Sequence, residues 1–247
     1  MSSPLLITKL HIPQARTTRV LRPRLVTRLM QGLARPLTLV STPAGFGKTT
    51  LLCEWIESCK QPAAWLSLDK GDNDPARFWF YVISALQTVY PAVGHSLPDF
   101  LNTPNLPLIE ILLTELINNL AEQPRPVILI LDDYHLIETQ AIHDGMLFLV
   151  EHASPHLHIV IASRADPPWP LARLRSRERL IELRTADLRF TSVEAAEFLN
   201  QAVQFNLNPD EVTALEERTE GWVAGLQMVA LSLQGRTDVH QFITAFT

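Results

Sequence analysis

Lysine is scarce in this chain of 247 residues: Lys9, Lys48, Lys60 and Lys70 are the whole set within 21 basic residues. With 26 acidic residues the net charge is −5, which argues against a module that binds nucleic acid by electrostatics. Cysteine is scarcer still. Cys53 and Cys59 stand six apart in an expected helix, a spacing that is neither a metal-ligand pair nor a redox CxxC, so they are expected as reduced thiols. No apolar run approaches the ~20 residues of a membrane span. The opening Met-Ser-Ser-Pro-Leu-Leu-Ile-Thr-Lys lacks the basic start and apolar stretch of a secretory leader. These absences predict a cytoplasmic globular protein. The eight histidines form no metal constellation, and no Ser/His/Asp or Cys/His triad can be argued from spacing.

What is present is alternation. Apolar runs at Leu37–Val40, Ala64–Leu68, Val127–Leu131, His158–Ala162 and Leu180–Arg184 read as strands. Amphipathic stretches between them, near 48–59, 78–86, 108–121 and 139–152, read as helices. Uninterrupted apolar strands alternating with helices predict an α/β fold, a doubly wound parallel sheet covered on both faces. Residues 91–107, with four prolines, read as a long loop. After Asp187 the pattern turns to helices alone, near 192–203, 209–218 and 221–234. The expected organisation is therefore a nucleotide-binding domain over 1–187, with an N-terminal arm over 1–36, followed by a small all-helical domain over 188–247.

The strongest chemical signal is Thr42-Pro-Ala-Gly-Phe-Gly-Lys-Thr-Thr50, set between a strand and a helix. Backbone N–H groups of such a loop cradle phosphate oxygens beside the positive end of the helix. The candidate nucleotide-binding residues are Pro43, Ala44, Gly45, Phe46, Gly47, Lys48, Thr49 and Thr50. Lys48 reaches the β- and γ-phosphates, and the Thr49 hydroxyl is a magnesium ligand. Thr42 stands where the first glycine of G-x-x-x-x-G-K-[ST] is usual. Asp132-Asp133 ends a buried strand, where ligands of open α/β sheets bind. Asp132 is the second candidate metal residue, and Asp133 the candidate general base for an attacking water. Arg164, at the end of a further strand, is the candidate sensor of the terminal phosphate, provided that its strand neighbours that of Asp132. An ion pair to Asp133 or Asp166 is the plain alternative. Val20 and Arg22, in a stretch of arginines before the first strand, either fold over the base and ribose or belong to a surface salt-bridge cluster. Trp222 reads as core packing, and Gly221 and Gly225 as sites of close backbone approach.

Longer strings carry a resemblance. Thr8-Lys-Leu10, Arg22-Pro-Arg-Leu25, Pro43 to Leu51, Trp65-Leu-Ser-Leu-Asp69, Gly71-Asp-Asn-Asp-Pro-Ala-Arg-Phe-Trp79, Leu131-Asp-Asp-Tyr-His135, Ser163-Arg-Ala-Asp-Pro-Pro168, Leu188-Arg-Phe-Thr191 and Glu220-Gly-Trp-Val-Ala-Gly-Leu226 together resemble the ATPase module of the MalT-type LuxR-family transcriptional activators. Those are signal-transduction ATPases with numerous domains (STAND), related to the NACHT and NB-ARC switches. The resemblance implies a P-loop NTPase that binds ATP or ADP with Mg2+. Its resting form holds ADP, its ATP form self-associates, and slow hydrolysis resets it. It also implies sensor and helix-turn-helix domains beyond these residues, so no direct DNA or membrane contact by this chain is expected. The NB-ARC branch has a Gly-x-Pro adenine contact where this chain has Gly221-Trp-Val223, without the proline. A P-loop kinase or transferase, with the 91–107 loop as lid, is the competing reading, and a pure binding module is a third.

Overall fold

A computed structural model describes residues 5–14, 19–94, 109–203, 207–234 and 243. Five strands form one parallel sheet: β1 (Leu37–Ser41), β2 (Ala63–Ser67), β3 (Val127–Asp132), β4 (Leu157–Ser163) and β5 (Leu180–Leu183), in the order β2-β3-β4-β1-β5. Every residue of β1, β3 and β4 is buried. That explains their unbroken apolar runs, because each strand has a covered face on both sides.

Two cores follow from the pleat. Leu39, Leu129 and Ile161 point to one face, where α3 (Pro75–Gln87), α4 (Ile109–Ala121) and α5 (Gln140–His152) pack. Val40, Ile130 and Val160 point to the other, against α1 (Pro23–Gly32) and α2 (Lys48–Cys59). Asp74 caps α3 by accepting from Arg77 N–H at 2.8 Å, with Pro75 in the first turn, as the Asp-Asn-Asp-Pro string predicts. The loop expected over 91–107 lies largely outside the described residues.

Two further helices, α6 (Leu171–Ser176) and α7 (Thr185–Leu188), flank β5. Then α8 (Ser192–Val203), α9 (Pro209–Thr219) and α10 (Val223–Leu233) build a third cluster on Leu199, Leu215, Leu226 and Leu233. Val20 of the arm packs into this helical cluster rather than into the sheet cores. Among the described residues no helix is long and apolar enough to cross a membrane.

One buried group ties fold stability to pH. His158 on β4 has Nδ1 2.6 Å from Arg35 O and Nε2 3.1 Å from Thr38 Oγ1. A carbonyl only accepts, so Nδ1 carries the proton and Nε2 accepts from the Thr38 hydroxyl: the ring is neutral. Burial lowers its pKa from 6.5 to about 4. The native state therefore binds its proton later than the unfolded chain. The associated stability is whole above pH 6.5, declines as pH falls, and is gone below about 4. His158 is expected to withdraw about 3 kcal/mol over that range. Urea unfolding of wild type and His158→Asn from pH 7 to 4 reads this difference, and parallel pH slopes would refute it.

Candidate functional site

The site forms where β1 ends. Thr42, in place of a glycine, does not prevent the turn: its N–H donates to Ser163 O at 3.1 Å, joining the ends of β1 and β4. The Phe46 side chain is buried in the core between the sheet and α2, which anchors the loop from inside. Gly45 (φ 82°) and Gly47 (φ 78°) take left-handed backbone that disfavours any side chain. Gly47 caps α2, so the first N–H groups of that helix lack helical partners and stand at the loop.

Lys48 is buried, its Nζ donating to Thr42 O at 2.8 Å and Pro43 O at 3.0 Å. Burial lowers its pKa, and the charges of Asp132 and Asp133 oppose that fall. Thr49 Oγ1 donates to Asp132 Oδ2 at 2.8 Å. The other Asp132 oxygen accepts from Asp133 N–H at 3.0 Å. Burial raises the Asp132 pKa, and the Thr49 bond works against it. Two candidate metal residues predicted from separate motifs thus meet in one hydrogen bond. Among the described residues no group of three or more His, Cys, Asp or Glu is placed to hold a metal. A hydroxyl and one carboxylate fit Mg2+, which keeps waters and takes phosphate oxygens as its remaining ligands.

Asp133 sits in left-handed backbone (φ 58°) and starts a short 3-10 turn, Tyr134–Leu136. Its carboxylate is partly exposed, 3.8 Å from His135 Nδ1. β4 lies between β3 and β1, so the strand of Arg164 does neighbour that of Asp132. Arg164 is exposed, and its positive charge bears on Lys48 and His135. It has no ion pair among the described residues. The alternative of a pair with Asp166 fails because Asp166 is held by Arg184 and by Ser41 Oγ at 2.8 Å.

Val20 and Arg22 line a cleft of about 230 Å3 that also borders Gly45, Gly47 and Thr50. Arg22 is buried, its Nη2 donating to Leu188 O (2.8 Å) and Arg189 O (3.0 Å), and its guanidinium lies 4.9 Å from the Phe190 ring. The neighbouring arginines do make salt bridges, Arg19 to Glu57, Arg24 to Glu194 and Arg28 to Asp187. The sequence reading missed three features of this cleft. Glu54 lies buried on α2, Phe190 and Phe198 form an apolar wall, and the start of α10 closes the side. Trp222 is only half-buried, and its indole N–H donates to Ala44 O at 3.0 Å. Ala224 N–H donates to Gly45 O, also at 3.0 Å. A Cβ on Gly45 would stand 2.7 Å from both Ala224 Cβ and Trp222 Nε1. The phosphate loop and the helical cluster are therefore in direct contact.

No protein-family model matches the chain. It is 37% identical over 238 residues to the HTH-type transcriptional regulator MalT of Cronobacter sakazakii, covering 96% of this chain and 26% of that protein. It is 36% identical over 230 residues to MalT of Serratia proteamaculans, covering 92% and 25%. The chain thus spans about a quarter of the length of these curated relatives. Among solved structures, a Walker-type ATPase of Pyrococcus abyssi superposes with a TM-score of 0.58 at 16% identity, over 95% of this chain and 74% of that one. A Drosophila ORC chain, from a complex with DNA, superposes with a TM-score of 0.54 at 13% identity, over 97% and 60%. At such identities these two structures establish the fold, a P-loop ATPase architecture, and nothing more.

Proposed function

Because the chain belongs with the MalT regulators over a segment amounting to a quarter of their length, we propose that it is the nucleotide-operated switch of a regulator of that STAND type. The phosphate loop binds ATP or ADP, with Lys48 on the β- and γ-phosphates. Thr49 and Asp132 hold Mg2+, which neutralises phosphate charge. Asp133 orients and deprotonates the attacking water, Arg164 distinguishes ATP from ADP by its terminal phosphate, and Val20 and Arg22 close over the base. Hydrolysis is slow and resets a form that self-associates with ATP bound. On this reading the unit is cytoplasmic, its nucleotide domain ends near residue 187, and DNA is read by a domain outside these residues.

The observation that carries the reading is the pair of hydrogen bonds from Trp222 and Ala224 to Ala44 O and Gly45 O. A loop whose N–H groups face phosphate and whose carbonyls hold the helical cluster couples the two. Rearranging the loop around a nucleotide bears directly on how that cluster sits. A small-molecule kinase needs no such contact.

The test is to denature purified chain and identify the released nucleotide by chromatography. Stoichiometric ADP is expected from wild type and none from Lys48→Ala. In calorimetry Lys48→Ala is expected to weaken ADP binding about 100-fold, the loss of a buried charge-assisted contact. Empty wild type that also fails to bind added ATP or ADP would end the reading.

A further inference from the structure

The cleft beside the phosphate loop contains an acceptor that phosphate chemistry leaves unused. Glu54 lies on α2, on the cleft side, and is 5% exposed. Its Oε1 accepts from Arg22 N–H at 2.9 Å. Oε2 makes no hydrogen bond among the described residues. The same cleft is lined by the aromatic Phe190 and Phe198 and the aliphatic Val223. Arg22, which also lines the cleft, has a buried Nε without a partner. A buried polar atom without a partner, such as Arg22 Nε, is costly, and Glu54 Oε2 keeps its accepting capacity unused.

We propose that this cleft takes the base of the nucleotide and that Glu54 Oε2 selects a purine bearing an amino group at C6 over one bearing a carbonyl there. The inference rests on the nucleotide reading above and makes its base specific. An adenine N6 amino group donates and satisfies the carboxylate oxygen. A 6-oxo purine turns a carbonyl oxygen to the same place, and two acceptors then face each other with water excluded. Sites built to pair a particular donor reject the analogue lacking it, because the protein group is left unsatisfied. The aromatic wall supplies base-independent contact, so the discrimination falls on Glu54.

The first measurement uses wild type alone, with ADP and inosine diphosphate titrated in a calorimeter. The two ligands share the phosphates and ribose and differ in the purine at C6 and its N1 protonation. ADP is expected to bind about 10- to 100-fold more tightly. The second uses Glu54→Gln. The amide oxygen keeps the bond from Arg22 N–H, which places the NH2 group where Oε2 stood. A donor now faces C6, so the preference is expected to fall to parity or reverse toward inosine diphosphate. Inorganic pyrophosphate, which has no base, should bind wild type and Glu54→Gln within about 3-fold, a check that the phosphate loop is intact. Equal wild-type affinity for the two diphosphates overturns the proposal, and so does a Glu54→Gln variant that binds pyrophosphate and keeps the ADP preference. Wild type that binds neither diphosphate nor pyrophosphate overturns the nucleotide reading itself.

Discussion

Asp133→Asn is expected to slow phosphate release about 100-fold, the low end of what a positioned general base contributes, while the ADP dissociation constant changes less than about 3-fold. The expectation follows from where Asp133 stands. Its backbone is left-handed, and Asn tolerates that region as well as Asp does. Its N–H donates to Asp132 Oδ1, a bond that the amide side chain does not disturb. Asn therefore keeps the turn but cannot take a proton. Asp132 differs: it is buried and engaged by Thr49 through one oxygen and by Asp133 N–H through the other, which suits it to metal rather than to water activation. Single-turnover hydrolysis with bound ATP, measured with and without Mg2+, separates the two roles. Loss of Asp132 should abolish the Mg2+ dependence. Loss of Asp133 should leave that dependence in place on a slower rate. An Asp133→Asn protein that hydrolyses at the wild-type rate would remove Asp133 from the mechanism.

The elements that sequence made legible are those whose periodicity has one physical cause. β1, β3 and β4 are buried on both faces, so their apolar runs have no competing explanation. α2 begins at Lys48 because Gly47 is a left-handed cap, and it ends at Cys59 before a left-handed Lys60. Strand order was not legible, since a parallel sheet pairs residues far apart in the chain and each strand is equally apolar. Only the register of Leu131 with Ile161 and of Ser41 with Ser163 places Arg164 between the two motifs. α6 was not legible because it is only six residues long, with Leu171 and Leu174 alone turned inward. Arg173 pairs with Glu151 and Arg175 with Glu182.

The cleft was legible on one side only. Glycines and a lysine announce a phosphate loop, because few other structures need them together. A glutamate in a helix, such as Glu54, gives no such signal, since most lie in solvent. Nor does an aromatic such as Trp222 or Phe190, which reads as core until the contact with Ala44 or Arg22 is seen. The wall built by residues 190–227 comes from a part of the chain remote from Lys48, so no local pattern joins them.

The other large effect lies far from the phosphates. Lys9→Met is expected to lower the unfolding free energy by about 3 kcal/mol, at the low end for breaking a buried ion pair. The Lys9 ammonium is buried against Asp72, whose carboxylate is wholly enclosed. It also reaches Asp69 Oδ2 at 3.1 Å and lies 4.4 Å from the centre of the Tyr81 ring. Methionine matches the length of the lysine stem, so the variant removes charge and leaves the packing nearly filled. Asp72 then keeps Arg77 Nε at 3.2 Å and the Asp69 N–H at 2.8 Å, which limits the loss. Asp72→Asn in the same chain should recover part of it, because the buried charge of Asp72 is then balanced only by the partly exposed Arg77. Urea unfolding of the two single variants and the double variant closes the cycle. A single-variant loss under about 1 kcal/mol would mean that the pair contributes no more than a surface salt bridge. The pair fastens the turn Ile7–Leu10 beside β2, the sheet edge away from β1. With β3 and β4 between that edge and the phosphate loop, Lys9→Met should leave ADP affinity unchanged wherever the protein is folded. A parallel fall in affinity would instead show the arm acting on the nucleotide site.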